Sequence, residues 1–389
     1  MHRSPYVVAC AGMLALAVAM GVGRFAFTPL LPMMMDDAGL TVAQGSWLAS
    51  ANYAGYLVGA LTAAVVGTRA SLIIRLGLIS IALVTALMGL LHEMTAWMVL
   101  RGAAGVASAW VMVHVSAWTL PRLAATGRSL PGAIVFSGVG LGIAAAGTLC
   151  LGAMAAGITS AHAWLLLGAS SLIAALLISP VFNDGDTHAG PTHSATLRAP
   201  HGRDAWQLIA CYGAFGFGYI IPATFLPVMA RAAIENPAIF GWSWPLFGAA
   251  ACLSTLAIAA VARAHRYRRI WVAAQLAMAI GVGLPAFVPG ITAVALAAVL
   301  VGGTFMVATL AAMQEARAVA GPDATRLIAA MTAAFALGQI AGPLAASAAV
   351  HLTGGFAAAL VAGSAILGAS ACALLVRLPV STTMKRTSP

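Results

Sequence analysis

Apolar residues run through the 389-residue chain in twelve stretches of twenty or more, separated by short polar turns. The stretches are rich in Ala, Leu, Val and Gly and show no two-residue alternation of polarity. They predict helices, each long enough to cross about 30 Å of hydrocarbon. The predicted spans are 6–34, 42–66, 71–91, 96–119, 131–155 and 161–181, then 206–230, 242–262, 270–289, 291–313, 326–350 and 355–376. Between the two sets, residues 182–204 hold three His, three Asp and two Pro among small polar residues, the composition of a hydrophilic connector. The pattern divides the chain into a six-helix half at 1–181, a connector at 182–204 and a second six-helix half with a short tail at 205–389.

Composition identifies the solvent. Apolar residues make up 62% of the chain and charged residues 7%, where a soluble domain carries about 25% charged residues. A water-soluble fold is excluded, because the chain cannot supply a polar shell. Lipid leaves only helices or closed barrels, and continuous apolar runs select an all-α polytopic membrane protein. In the first span, Arg3 ahead of an apolar run and Ala17-Val18-Ala19 imitate a secretory signal. Its removal would leave eleven spans and break the repeat described below, so it is read as a retained helix.

The net charge of +10 would suggest nucleic acid in a soluble protein, but here the cations are scattered through short loops and read as topology determinants. With the N-terminus inside, one side collects Arg3, Arg69, Arg75, Arg122, Arg128, Arg198, Arg203, Arg263, Arg266, Arg268, Arg269, Arg317, Arg326, Arg377, Lys385 and Arg386, and the other has Arg231 alone. Sixteen against one predicts that both termini are cytoplasmic. Lys385 is the only lysine, so no phosphate-loop lysine is available and direct ATP drive is not expected. The cysteines Cys10, Cys150, Cys211, Cys252 and Cys372 all fall in apolar runs without metal-ligand spacing, so neither metal nor cofactor is expected.

An internal repeat relates the halves. Gly21-Val22-Gly23-Arg24 and Leu31-Pro32-Met33-Met34 match Gly216-Phe217-Gly218-Tyr219 and Leu226-Pro227-Val228-Met229 at a constant offset of 195, which also relates Trp47 to Trp242. Gly138 and Gly142 match Gly338 and Gly342 at an offset of 200. Two parallel six-helix halves are the internal symmetry of transporters that rock about a central site.

On these features the chain resembles the major facilitator superfamily. More narrowly, GVGRFAFTPLLPMM at 21–34, GSWLASANYAGYLVGAL at 45–61, GGTFM at 302–306 and GQIAGP at 338–343 resemble the YbfB/YjiJ group of bacterial permeases. The resemblance covers essentially the whole chain. It implies a multi-pass permease of the bacterial cytoplasmic (inner) membrane. The superfamily's helix 2–3 loop motif is matched by Gly67 and Arg75, but Ser71 stands where an Asp is usual. Arg101 and Gly105 resemble the helix 4 motif whose arginine is implicated in proton coupling. The antiporter-type Gly-Pro of helix 5 is absent, since Ile143 follows Gly142.

Ionisable groups inside a bilayer are expensive and are functional candidates by default. Arg24 lies near the middle of the first span, next to Gly21 and Gly23. One reading makes it the anchor of an anionic substrate group, since guanidinium presents paired donors to a carboxylate; the other bonds it to helix carbonyls or to Asp36 or Asp37. Glu93 and Arg101 lie at adjoining helix ends and are expected to pair across the turn. His114, about three turns beyond Arg101, is the candidate proton carrier, because imidazole is the side chain that ordinarily titrates between pH 5 and 8; a hydrogen-bonded bundle histidine is the alternative. Asn52, Tyr53 and Tyr56 form a polar stripe on the second span that faces either the cavity or neighbouring helices. Tyr219, the repeat mate of Arg24, and Gln339 complete the candidate substrate set. Pro29, Pro32, Pro222 and Pro227 are expected to bend the two repeat helices.

These readings favour a secondary transporter of a small organic solute working by alternating access, with the proton as the candidate coupling ion and lipid as the surrounding partner. The alternative is a non-transporting membrane sensor or a membrane-embedded enzyme. For the enzyme, no spaced acidic pair, HExxH or intramembrane Ser/His/Asp set is apparent, and catalytic residues are not expected.

Overall fold

The computed structural model describes residues 4–63, 69–124, 130–183, 202–234, 236–261 and 267–376. Twelve long helices cross the molecule: α1 Pro5–Asp37, α2 Val42–Thr62, α3 Ala70–Leu90, α4 Met94–Ala124, α5 Leu130–Ala155, α6 Ser160–Val181, α7 Arg203–Ala233, α8 Ser243–Val261, α9 Tyr267–Phe287, α10 Ile291–Ala320, α11 Ala324–Thr353 and α12 Ala357–Leu375. Eleven are long and apolar enough to cross a membrane by themselves. The exception is α2, whose Ser46, Ser50, Asn52, Tyr53 and Tyr56 lower its hydropathy; it is held in place by packing against α4 and α11. Its start is fixed by a capping box, with the Thr41 hydroxyl accepting from the Gln44 N–H at 3.2 Å and the Gln44 side chain accepting from the Thr41 N–H at 2.9 Å.

Helices α4, α7, α10 and α11 outrun the apolar runs that predicted them by several residues. Arg122 shows why at the end of α4: its guanidinium donates to the Trp118 carbonyl at 2.7 Å and lies 4.1 Å from the Trp118 ring centroid, so a polar turn still completes the helix. Most of the 182–204 connector, and the loop carrying Gly67, lie outside the described residues, as do eight of the sixteen cations on the terminal side.

With no hydrophobic drive between helices in lipid, close approach falls to small residues. A methyl added to Gly138 would lie 2.0 Å from the Met13 carbonyl oxygen of α1, and one added to Gly142 would lie 2.2 Å from that of Ala17. The second half uses the same device. A methyl at Gly338 of α11 would lie 2.4 Å from the Gly213 carbonyl oxygen of α7, and one at Gly216 of α7 would lie 2.3 Å from that of Phe335. The paired glycines of the repeat are therefore seams between α1 and α5 and between α7 and α11.

The halves join along α5 and α8, α2 and α11, and α1 and α7. Gly140 and Gly248 bring α5 and α8 into backbone contact; methyls there would lie 2.2 Å from the Cys252 and Ala144 nitrogens, respectively. Between α1 and α7 the contact is between repeat mates. Thr28 donates to the Ala223 carbonyl at 2.8 Å across 195 positions, and Arg231 pairs with Asp36 across the same 195. Repeat mates meet only at a pseudo-two-fold axis, which thus runs between these helices. Trp47 and Trp242, also repeat mates, are each 53% exposed at the helix ends of the face opposite the termini, as in an interfacial aromatic belt.

Candidate functional site

The site begins with a local departure from α geometry. From Ala17 to Phe25, α1 is π-helical, whereas its repeat mate α7 stays α-helical through Pro222 and Pro227. In a π-helix each carbonyl accepts from the fifth residue onward. Pro29, five residues after Arg24, has no N–H to give. Side chains of other helices take the carbonyls of this segment instead. Arg101 of α4 donates to the Arg24 carbonyl at 2.9 Å and reaches the Gly23 carbonyl at 3.5 Å, and Asn52 of α2 donates its amide to the Gly23 carbonyl at 3.1 Å and to the Arg101 carbonyl at 2.9 Å. The expected bend in α1 is thus a widened turn pinned from two sides.

That turn directs the Arg24 side chain into the bundle. Its guanidinium donates to Oε1 of Gln339 on α11 at 2.8 Å, and the Gln339 amide donates in turn to the Tyr219 hydroxyl of α7. The guanidinium carbon lies 4.0 Å from the Tyr56 ring centroid, 5.2 Å from that of Phe25 and 5.4 Å from that of Tyr53, a partial aromatic cage. Tyr53 bonds to Thr224 of α7 at 3.2 Å. Arg24, Tyr56, Tyr219 and Gln339, read separately from the sequence, therefore converge between the halves.

Other expectations come out differently. Among the described residues there is no ion pair between Arg101 and Glu93; Glu93 is exposed in the turn after α3, while Arg101 is 2% exposed, turned inward to the carbonyls of α1 with its guanidinium 5.0 Å from the Phe27 ring centroid. The open carbonyls of the π segment attract it, and these are invisible in a helical-periodicity reading. Arg24 meets neither Asp36 nor Asp37: Asp36 pairs with Arg231, and Asp37 accepts from the Ser160 N–H at 2.5 Å and hydroxyl at 2.7 Å. Asn52 spends its amide donors on backbone carbonyls, a brace beneath the site. His114 is buried, with Nδ1 2.7 Å from the Trp110 carbonyl of its own helix, about 20 Å along α4 from Arg101. Arg101, His114 and Glu93 are not brought together.

The electrostatics are lopsided. Arg24 and Arg101 are both buried, and the ion pairs among the described residues involve only Arg231, Arg268 and Arg326. An arginine at a span centre costs about 2.5–3.5 kcal/mol. Carbonyl bonds and ring faces offset part of this cost, yet Nε of both arginines lacks a hydrogen-bond partner. The site is a buried cationic centre with spare donors. On its other side lie aromatic residues that the sequence reading missed: Tyr219 is stacked on Phe335 and Phe305, Phe305 on Phe247, and Phe247 on Trp244. Phe305 was within reach, since it stands in the GGTFM segment one turn after a glycine pair.

The family model described as "Uncharacterised MFS-type transporter YbfB" matches residues 16–376, and the chain belongs to this family of membrane transporters. Solved structures agree on the fold. A variant of the nucleoside transporter NupG superposes with a TM-score of 0.76 at 12% identity, covering 95% of this chain and 99% of that one. A bacterial homologue of the human lysosomal transporter Spinster, in an inward-facing and occupied conformation, gives 0.72 at 14% identity over 96% and 97%. The human organic anion transporter MFSD10 gives 0.65 at 16% identity over 96% and 100%. No curated protein sequence matches the chain significantly. The chain is a multi-pass membrane transporter of small molecules, not an enzyme.

Proposed function

We propose that this transporter carries a small organic anion, with Arg24 as the anchor and Tyr56, Tyr219 and Gln339 around it, and that it works by alternating access between the two six-helix halves. One observation carries the reading: two buried arginines share a site without a carboxylate partner among the described residues, and the Arg24 guanidinium is held from the opposite half only by the neutral amide of Gln339. A carboxylate is a stronger, bidentate partner than an amide and would displace it. Displacement removes a bond between α1 and α11, so binding at Arg24 bears directly on how the halves are joined.

The face carrying the termini is proposed to be cytoplasmic, in the inner membrane of a bacterium, since Arg231 is the one loop cation of the opposite face in the sequence count. His114 remains the proposed proton carrier, with the structural role of a helix-bonded imidazole as its competitor. Counterflow of radiolabelled carboxylates in proteoliposomes tests the substrate class. Arg24→Lys, which keeps the charge but loses the paired donors, is expected to weaken carboxylate binding at least tenfold, and Arg24→Ala to abolish it, with thermal stability near that of the parent. Equal loss of stability in both variants, or unchanged counterflow, overturns the reading.

A further inference from the structure

The Arg24 centre sits at one end of a continuous aromatic slab. The Tyr219 ring is 5° from parallel with Phe305 at a centroid separation of 5.9 Å, Phe305 is 29° from Phe247 at 5.7 Å, and Phe247 is 22° from Trp244 at 4.7 Å. At its far end the slab returns to α1, with Trp244 6.4 Å from Phe25, whose ring in turn lies 5.2 Å from the Arg24 guanidinium carbon. Arg24, Phe25, Trp244, Phe247, Phe305, Tyr219 and Gln339 therefore form a closed circuit contributed by α1, α8, α10, α7 and α11. All seven are buried, so a solute enters by parting the circuit, and the Arg24–Gln339 bond is the link that a carboxylate can replace with a stronger one. Two donors of the circuit have no partner: Nε of Arg24 and Nε1 of Trp244. A buried indole N–H usually finds an acceptor, so the unpaired Trp244 N–H is open to one brought by a ligand.

We infer that the cargo is a flat aromatic carboxylate bearing a hydrogen-bond acceptor on its ring. The inference rests on the proposed anion anchor and adds the shape and substitution of the body. The carboxylate takes the paired donors of Arg24 in place of Gln339, the ring slots in among the near-parallel rings of Tyr219, Phe305 and Phe247, and the ring acceptor takes the Trp244 N–H. Stacking of this kind is worth a preference of about threefold to tenfold beyond the area buried. An aliphatic site would be lined with Leu and Ile and would give no such preference.

The test is a thermal-shift titration of the purified full-length protein with benzoate, 4-hydroxybenzoate, cyclohexanecarboxylate and benzamide. Benzoate is expected to bind at least about threefold more tightly than cyclohexanecarboxylate, and 4-hydroxybenzoate more tightly again. Phe305→Leu should erase the first preference, and Trp244→Phe only the second. Phe247→Leu replaces Phe305→Leu if that variant does not fold. Equal binding of benzoate and cyclohexanecarboxylate overturns the aromatic inference and leaves the anion anchor standing. Binding of benzamide with none of the three carboxylates bound overturns both, as does the absence of a shift with all four.

Discussion

Asp36 of α1 and Arg231 of α7 are repeat mates, 195 positions apart, and they form an ion pair at the end of the pseudo-two-fold axis farthest from the termini. Arg231 also donates to the Pro32 carbonyl at 3.2 Å, so one side chain ties both the charge and the backbone of the opposite half. With Thr28 on the Ala223 carbonyl and Ser50 on the Ile340 carbonyl, it belongs to a set of bonds joining the halves at mid-bundle and toward that face. The arrangement fits a state in which the face opposite the termini is closed. The sole loop cation of that face among the described residues is thus also a fastener.

Weakening the fastener should shift the balance of states. An exposed pair contributes about 0.2–1 kcal/mol, so Arg231→Gln is expected to raise the population open at that face by up to about fivefold. The readout is the labelling rate of Ala223→Cys by an impermeant maleimide in a cysteine-free background. Asp36→Asn should raise it similarly, and the exchanged pair Asp36→Arg with Arg231→Asp should return it toward the parent rate. Equal labelling in all variants would remove the pair from the gate.

Asn52 offers a test of the brace beneath the site. Its amide satisfies the carbonyls of Gly23 and Arg101 on two other helices. Asn52→Leu leaves both buried acceptors short of a donor, at about 1–3 kcal/mol each. A fall in thermal stability is expected, larger than that of Arg24→Ala, together with impaired transport. A stability equal to the parent would mean that the α1 carbonyls find other donors.

The twelve helices were legible because lipid makes the signal redundant: length, hydropathy and charge asymmetry all report the same spans. The Arg24, Tyr219 and Gln339 cluster was legible in part, since two intramembrane polar residues in repeat-related helices face a common axis. Two features were hidden. The π segment of α1 depends on a proline acting five residues away, and the inward turn of Arg101 follows from it, whereas closeness in sequence across the short turn paired Arg101 with Glu93. The slab of Trp244, Phe247 and Phe305 was hidden because aromatic residues are ordinary in apolar helices; only packing across α8 and α10 aligns them.

Topology can be tested at one exposed position outside the helices and one position in the connector. Asp37 is unsuitable, because its carboxylate holds the start of α6 at Ser160. Ala38, exposed just beyond α1, replaces it. In a cysteine-free background, Ala38→Cys is expected to react with an impermeant thiol reagent in intact cells, and Thr192→Cys in the connector only after lysis. Labelling of Thr192→Cys from outside would invert the orientation and the reading of the charge count.

The proposed proton carrier, His114, is remote from the proposed anion anchor, Arg24. His114 lies on α4, the helix whose Arg101 pins the carbonyls of the Arg24 turn, so a charge change at His114 reaches the anchor through one rigid element. Protonation while Nδ1 remains bonded to the Trp110 carbonyl places the new N–H at Nε2, where a cation would need an acceptor or water in only one of the two alternating states. His114→Gln, which keeps a donor for the carbonyl, should therefore abolish the response of net transport to an imposed proton gradient. Substrate exchange should persist, because exchange requires alternating access but no net proton movement. Full gradient-driven accumulation by His114→Gln would assign the proton to the substrate carboxylate itself and leave His114 as a structural residue of α4.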